Sequence, residues 1–299
     1  MERVWGGVPM GLRLMAAGAF AFSIMTALLK AAGTALPLFE IVAGRSLVVA
    51  LLAAFGVWRQ GHSFLPTEWR LVLLRALFGF VALSCYFYSI IHLPLADATV
   101  IYFTNPVLTA LAAAAVLREH MGWKEVALVM LSLVGVFAVA RPGFLFGATR
   151  ALDATAVALG LVSAMFAAGS YVTIRRIRRD PPLLVVFWFG AATVLLCLPI
   201  IAGGWVGVSA IDVLLLVGIG VATHVGQLSI TWAFRLERAG AVSAVGYLQI
   251  VFAAAWGWLF FAEAPDAWTW VGAGVILLAT LGIMRLHPTP EPSAIARTR

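Results

Sequence analysis

Ten times in 299 residues the chain runs for about 20 residues with hardly a charge. A run of that length and polarity is what an α-helix needs to cross the hydrocarbon core of a bilayer. The segments fall at 11–29, 37–57, 71–91, 97–117, 124–140, 154–174, 182–203, 211–234, 240–262 and 267–285. Inside lipid every backbone N–H and C=O must find its partner within the protein, which makes such runs helices. The joining loops are short, and none could form a soluble domain. Composition agrees. Charged residues make up 11% of the chain and the mean hydropathy is +1.02, whereas a soluble domain carries about 25% charged residues. The net charge of +7 would point to nucleic acid in a soluble protein. Here the basic residues sit in short loops between apolar runs, so the partner is the bilayer and no nucleic acid is expected.

Placement of the basic residues sets an orientation, because loops rich in Lys and Arg stay cytoplasmic. With the N-terminus inside, only Lys30, Arg141 and Arg150 lie outside and Arg45 lies within the membrane, which leaves 16 of the 20 Lys and Arg residues inside. Both termini are therefore expected in the cytoplasm of a multi-pass inner or plasma membrane protein. The run RRIRRD at 175–180 is read as part of that anchor. The basic N-terminus resembles a signal peptide at first, but the run from Leu14 to Leu29 is followed by nine more and is taken as a retained first span. Cys85 and Cys197 lie inside apolar runs, away from metal spacing, and are read as small buried groups. The tail 287–299, HPTPEPSAIARTR, is polar and Pro-rich and is expected to be disordered and cytoplasmic.

The chain also repeats itself. Residues 98–119 read ATVIYFTNPVLTALAAAAVLRE and residues 242–263 read VSAVGYLQIVFAAAWGWLFFAE. At an offset of 144, Tyr88 meets Trp232, Phe103 meets Tyr247, Asn105 meets Gln249, Glu119 meets Glu263 and Arg141 meets Arg285. Five spans per half is an odd number, so the second half enters the membrane from the other side. The expected architecture is an all-α integral membrane fold of ten transmembrane helices in two inverted five-helix repeats. The first repeat is 1–145 and the second 146–286. Inverted repeats about a central site are common in secondary transporters.

The stretch LPLADATVIYFTNPVLTALAAAAVLREHMGWKEVALVMLSLVGVFAVARP, with its Leu-Pro, mid-span Pro, terminal Glu, Trp and Gly-bearing span, resembles the repeat unit of EamA-type proteins of the drug/metabolite transporter superfamily. The second copy, ERAGAVSAVGYLQIVFAAAWGWLFFAEAPDAWTWVGAGVILLA, keeps the Glu and the Trp but lacks the Leu-Pro and the mid-span Pro. In size and layout the chain is similar to amino-acid and metabolite exporters of that superfamily, including the aromatic amino acid branch. The resemblance implies a basket of ten helices with a cavity lined mainly by spans 1, 3, 4, 6, 8 and 9, and with spans 5 and 10 peripheral. Small multidrug members carry a Glu in the first span for proton exchange. The run LMAAGAFAFSIMTALL has no acid, so that mechanism is not expected here.

Polar groups at mid-span point to a site, because each costs free energy unless it has a partner or faces a cavity. Pro106 cannot donate to the carbonyl of Tyr102, so a helix kink there leaves a free carbonyl beside the Asn105 amide. The pair suits a ligand's amino or hydroxyl group, and equally suits an amide that glues two helices. Gln249 occupies the equivalent place. His224 lies at the middle of span 8 with Gln227 and Thr231 on its face, and is read as cavity-lining. Tyr86, Tyr88, Tyr102, Tyr171, Trp232 and Tyr247 are read as aromatic walls. Arg45 follows Glu40 by five residues, about 140° apart around the helix. It is read as bonded to backbone or a neighbouring helix, with a substrate carboxylate as the alternative. Arg75 is expected to snorkel toward the near membrane face. Glu119 and Glu263 end spans 4 and 9 and are read as gating or loop-capping groups.

No phosphate-binding Gly-rich loop, no paired metal ligands and no Ser/His/Asp arrangement appears, so neither cofactor nor metal is expected. The reading that results is a secondary transporter, not an enzyme. It would move small metabolites, foremost neutral or aromatic amino acids, by alternating access and outward. Drugs, nucleosides or sugar phosphates are the alternative cargo on the same fold. A lipid-modifying membrane enzyme using His224 as base lacks a second catalytic group at that depth, and a channel would not need inverted halves. Two repeats in one chain make a monomer sufficient.

Overall fold

A computed structural model describes residues 8–32, 37–93, 95–119, 121–140, 152–204, 207–262 and 266–286. Glu263 and the tail 287–299 lie outside them. The described chain is helical: α1 (Met10–Ala32), α2 (Leu38–Arg59), α3 (Trp69–His92), α4 (Leu95–Tyr102), α5 (Asn105–Leu117), α6 (Trp123–Ala140), α7 (Ala154–Arg176), α8 (Pro182–Ile201), α9 (Ala210–Leu236), α10 (Ala239–Val245), α11 (Leu248–Phe261) and α12 (Ala267–Leu286). Eight stretches of the described residues are long and apolar enough to cross a membrane, with Ala239–Phe261 counted as one. The other two spans are α6 and the pair α4–α5. Large apolar side chains such as Leu51, Leu214, Phe260 and Leu278 face outward, as helices in lipid require.

Two spans are broken, and they are the repeated ones. Span 4 breaks at Phe103–Thr104. Pro106 has no N–H for the Tyr102 carbonyl, and the Asn105 Nδ2 donates to that carbonyl instead at 2.9 Å. Thr104 Oγ1 donates to the Ile101 carbonyl at 2.7 Å. The kink therefore supplies a local donor for the Tyr102 carbonyl. Span 9 breaks at Gly246–Tyr247 with no proline, a break the sequence analysis did not anticipate. Two of the described residues other than glycine have positive φ, Arg118 at 57° and Ala262 at 55°. They sit 144 positions apart, each as the left-handed cap that ends its broken span. The repeat is thus visible in the backbone where the side chains have diverged.

The packing carries the same symmetry. Let span n of the first half exchange with span n+5 of the second. Span 1 on span 8 (α1 on α9) then becomes span 6 on span 3 (α7 on α3), and both pairs pack extensively. Spans 2 and 7 (α2, α8) and spans 5 and 10 (α6, α12) pair with their own equivalents. Span 1 against the second half of span 9 matches span 6 against the second half of span 4. The helix neighbours are those of two inverted five-helix repeats, with α6 and α12 forming a peripheral pair. That pair approaches backbone to backbone. A Cβ on Gly272 would lie 2.6 Å from the Gly135 carbonyl oxygen, and one on Gly135 would lie 2.9 Å from the Gly272 oxygen. Small residues are what allow such contact in a membrane, where apolar burial between helices supplies little drive.

Candidate functional site

The two helix breaks meet. Tyr247 is fully buried, and its hydroxyl donates to the carbonyl of Phe103 at 3.0 Å. Phe103 is its own counterpart in the other repeat, and the two rings lie 6.1 Å apart. A buried carbonyl freed by the break in span 4 is thereby bonded by the residue at the break in span 9. The hydrogen bond removes a desolvation cost of about 1–3 kcal/mol.

Beside this junction runs a row of tyrosines. Tyr86 on α3 and Tyr102 on α4 stack with centroids 4.3 Å apart. Tyr102 also lies near Tyr171 on α7, whose ring stacks on Phe234 at 4.8 Å. Tyr86, Tyr102 and Tyr171 stay partly accessible although they lie within the bundle. At the far end of the row Tyr171 lies near Arg75, whose Nη2 donates to Gln227 Oε1 at 2.7 Å.

Arg75 does not snorkel. A snorkelling side chain would run back toward Trp69 and the near face of the membrane. Instead its Nη1 lies 2.6 Å from where a Cβ on Gly79 would be, one turn deeper along α3. The missing side chain of Gly79 is the room the guanidinium occupies. Arg75 is 2% exposed and stacks over the Phe189 ring at 3.9 Å. Arg45 on α2 is 7% exposed, lies 5.9 Å from the Phe87 centroid and neighbours Tyr102 and Cys197. Arg75 thus lies beside Tyr171 and Arg45 beside Tyr102. The sequence analysis read Arg45 as structural, with a substrate carboxylate as the alternative, and Arg75 as snorkelling. The missed signal was Gly79, four residues after Arg75.

The remaining site candidates are dispersed. His224 faces α2 near Val49, and its buried Nδ1 has no hydrogen-bond partner among the described residues. Asn105 serves the kink, as above. Tyr88 and Trp232 are exposed, and Tyr88 stacks on His92 at 4.0 Å, so neither reaches the tyrosine row. Gln249 opens α11 and is partly accessible. Among the described residues no group of His, Cys, Asp and Glu is placed to hold a metal ion.

At the end of the bundle that carries the basic loops, charged groups tie helices together. Glu119, after α5, accepts from Arg175 Nε at 2.8 Å through Oε1 and from the Ala239 N–H at 2.9 Å through Oε2. It thus caps the N-terminus of α10, where a carboxylate is favoured. Arg175 also donates to the carbonyls of Phe234 and Arg235 at the end of α9. Nearby, Asp180 accepts from the Thr67 and Glu68 N–H groups, and Glu68 accepts from those of Arg178 and Arg179. The two carboxylates lock the α2–α3 and α7–α8 loops reciprocally.

Comparison with known proteins follows the geometry. The profile of the EamA-like transporter family matches residues 9–141 and again 154–285. The pseudopaline exporter CntI of Pseudomonas aeruginosa is 34% identical over 277 residues, which cover 92% of this chain and 96% of that one. The S-adenosylmethionine uptake transporter of Rickettsia prowazekii is 26% identical, with 88% of each chain covered. A protein of known crystal structure superposes with a TM-score of 0.81 at 18% identity, covering 92% of this chain and 97% of its own, and so shares the fold. With both halves matched and a relative at this identity along nearly its whole length, the chain belongs to the EamA-like transporter family, multi-pass membrane transporters of small metabolites in the drug/metabolite superfamily.

Proposed function

We propose that the chain is a secondary exporter of amino-acid-type metabolites, working by alternating access as a monomer in the inner membrane with both termini cytoplasmic. The observation that carries this reading is the tyrosine row with Gln227, a partly accessible polar seam between the two repeats in a bundle whose outer surface is apolar. Polar groups are costly at that depth without a function. Tyr86, Tyr102, Tyr171 and Gln227 contact the substrate. Asn105, Tyr247, Gln249 and His224 set the two breaks and the α2–α9 contact around it. The repeats 1–145 and 146–286 act as the two moving halves. The likeness to an exporter supports the direction. The likeness to a carrier of S-adenosylmethionine supports an amino-acid-derived cargo.

The test is counterflow. Purified protein in liposomes loaded with unlabelled amino acids is given labelled amino acids outside, with and without a pH gradient. Transient accumulation above equilibrium is the expected result, and its response to the gradient reports proton coupling. No counterflow across the panel would refute the amino-acid reading and move the cargo to drugs, nucleosides or sugar phosphates.

A further inference from the structure

Among the described residues, Arg45 and Arg75 are buried cations whose guanidinium N–H groups are only partly bonded. A guanidinium keeps its charge in any protein, and one buried without an anion costs several kcal/mol. Among the described residues no carboxylate pairs with either. Arg75 has one hydrogen bond, to a neutral amide, and a ring beneath it; its Nε and Nη1 are buried without partners. The buried Nε of Arg45 is likewise unpartnered. A chain that needed only helix glue could use neutral side chains at lower cost. Two cations kept with open N–H groups are prepared for an anion that comes and goes.

We propose that Arg45 and Arg75 are the two poles of an anion site and that the transported metabolite is a carboxylate-bearing organic anion, held lengthwise along the tyrosine row. The proposal rests on the transporter reading above and narrows its substrate class. Arg75 sits over Phe189 and Arg45 beside Cys197, both on α8. Eight residues of helix separate these two, about 12 Å along the axis. That span fits an extended amino-acid derivative with an acidic group at each end better than a small zwitterion, which would satisfy one pole and leave the other charged. The phenol hydroxyls between them suit the polar middle of such a ligand. The planar fork of arginine is the side chain that takes a carboxylate through two parallel hydrogen bonds.

The test uses the full purified chain with L-glutamate, glutarate, citrate, L-leucine and L-lysine as probes. Ligand-dependent thermal stabilisation gives half-saturating concentrations, and counterflow of labelled leucine and glutamate is measured on the same preparations. The expected result is that carboxylate-rich probes bind more tightly than leucine or lysine. Arg75→Gln and Arg45→Gln should each raise the half-saturating concentration for those anions about 10–100-fold, with leucine changed less. Should a glutamine variant fail to fold, Arg75→Lys and Arg45→Lys keep the charge and should show a smaller weakening. Equal losses for anions and leucine would overturn the proposal by making both arginines structural. Preferred binding of leucine or lysine would overturn it too. Leucine counterflow unchanged in the variants, without preference for anions, would sink this inference and leave the carrier reading intact. No counterflow by any probe would sink the carrier reading itself.

Discussion

Glu119→Ala removes one carboxylate that holds three pieces of structure. Its two oxygens bond Arg175 at 2.8 Å and the Ala239 N–H at 2.9 Å, and the Glu119 and Arg175 side chains are only 16% and 14% exposed. Hydrogen bonds to charged groups contribute about 1.5–3 kcal/mol each. The two share one carboxylate and are not additive, so roughly 3 kcal/mol is the working figure for both. Opening this end of the bundle requires α5 to part from α7 and α10, which breaks the same bonds. Their loss therefore destabilises the closed arrangement against the open one and shifts the ratio roughly 100-fold. Glu119→Gln keeps an acceptor for Ala239 and loses the ion pair, so its effect should fall between. The assay is labelling by a membrane-impermeant maleimide of a single cysteine at Tyr171, in a chain with Cys85 and Cys197 replaced by Ser. The reagent is applied from the side of the basic loops. Labelling should accelerate strongly in Glu119→Ala. Equal labelling rates in parent and variant would refute the argument that Glu119 is a latch and leave it a local cap.

Other expectations are as specific. Tyr247→Phe leaves the Phe103 carbonyl buried without a donor and should cost about 1–3 kcal/mol, read as a lower melting temperature in detergent; an unchanged melting curve would mean water replaces the hydroxyl. Gly272→Leu should abolish the monodisperse peak on size exclusion by forcing α6 from α12, whereas Gly274→Leu, where a Cβ meets nothing within 4 Å, should not; the reverse order would discredit the packing argument. Tyr102→Phe and Tyr171→Phe should each slow transport several-fold with normal yield, and parental rates in both would remove the tyrosine row from the site. Green fluorescent protein fused to the C-terminus should fluoresce in the cell; an external C-terminus would contradict the proposed orientation.

The class, the ten spans and the inverted repeat were legible because lipid imposes a simple rule on sequence: a span must be long, apolar and helical. The kink at span 4 was legible for the same reason, since Pro106 removes one backbone donor. The break in span 9 was not. No proline marks it, and Gly246 at the break is only a weak local signal. The sequence named candidate residues by type, and the fold shows which of them come near one another. Tyr86, Tyr102, Tyr171 and Gln227 do converge, yet Tyr88, two residues from Tyr86, faces outward because the helix turns about 200° over that step. His224 turned to α2, since a mid-span polar stripe identifies a helix face but not the neighbour it meets. Arg75 was expected to snorkel because of its place near a span end, and only the space at Gly79 shows that its side chain runs the other way.

The offset between the repeats has a consequence for how this molecule is made. At 144 positions Arg45 corresponds to Phe189 and Arg75 to Ile219, so the cations belong to one half alone, and the ring beneath Arg75 stands where the other half keeps Arg45. An antiparallel pair of identical five-helix subunits could not be built this way, because every charge would appear twice, once in each direction. Joining two copies in one polypeptide frees each to specialise. One half supplies both cations and the other the ring beneath Arg75, so the two faces of a near-symmetric scaffold are no longer equivalent.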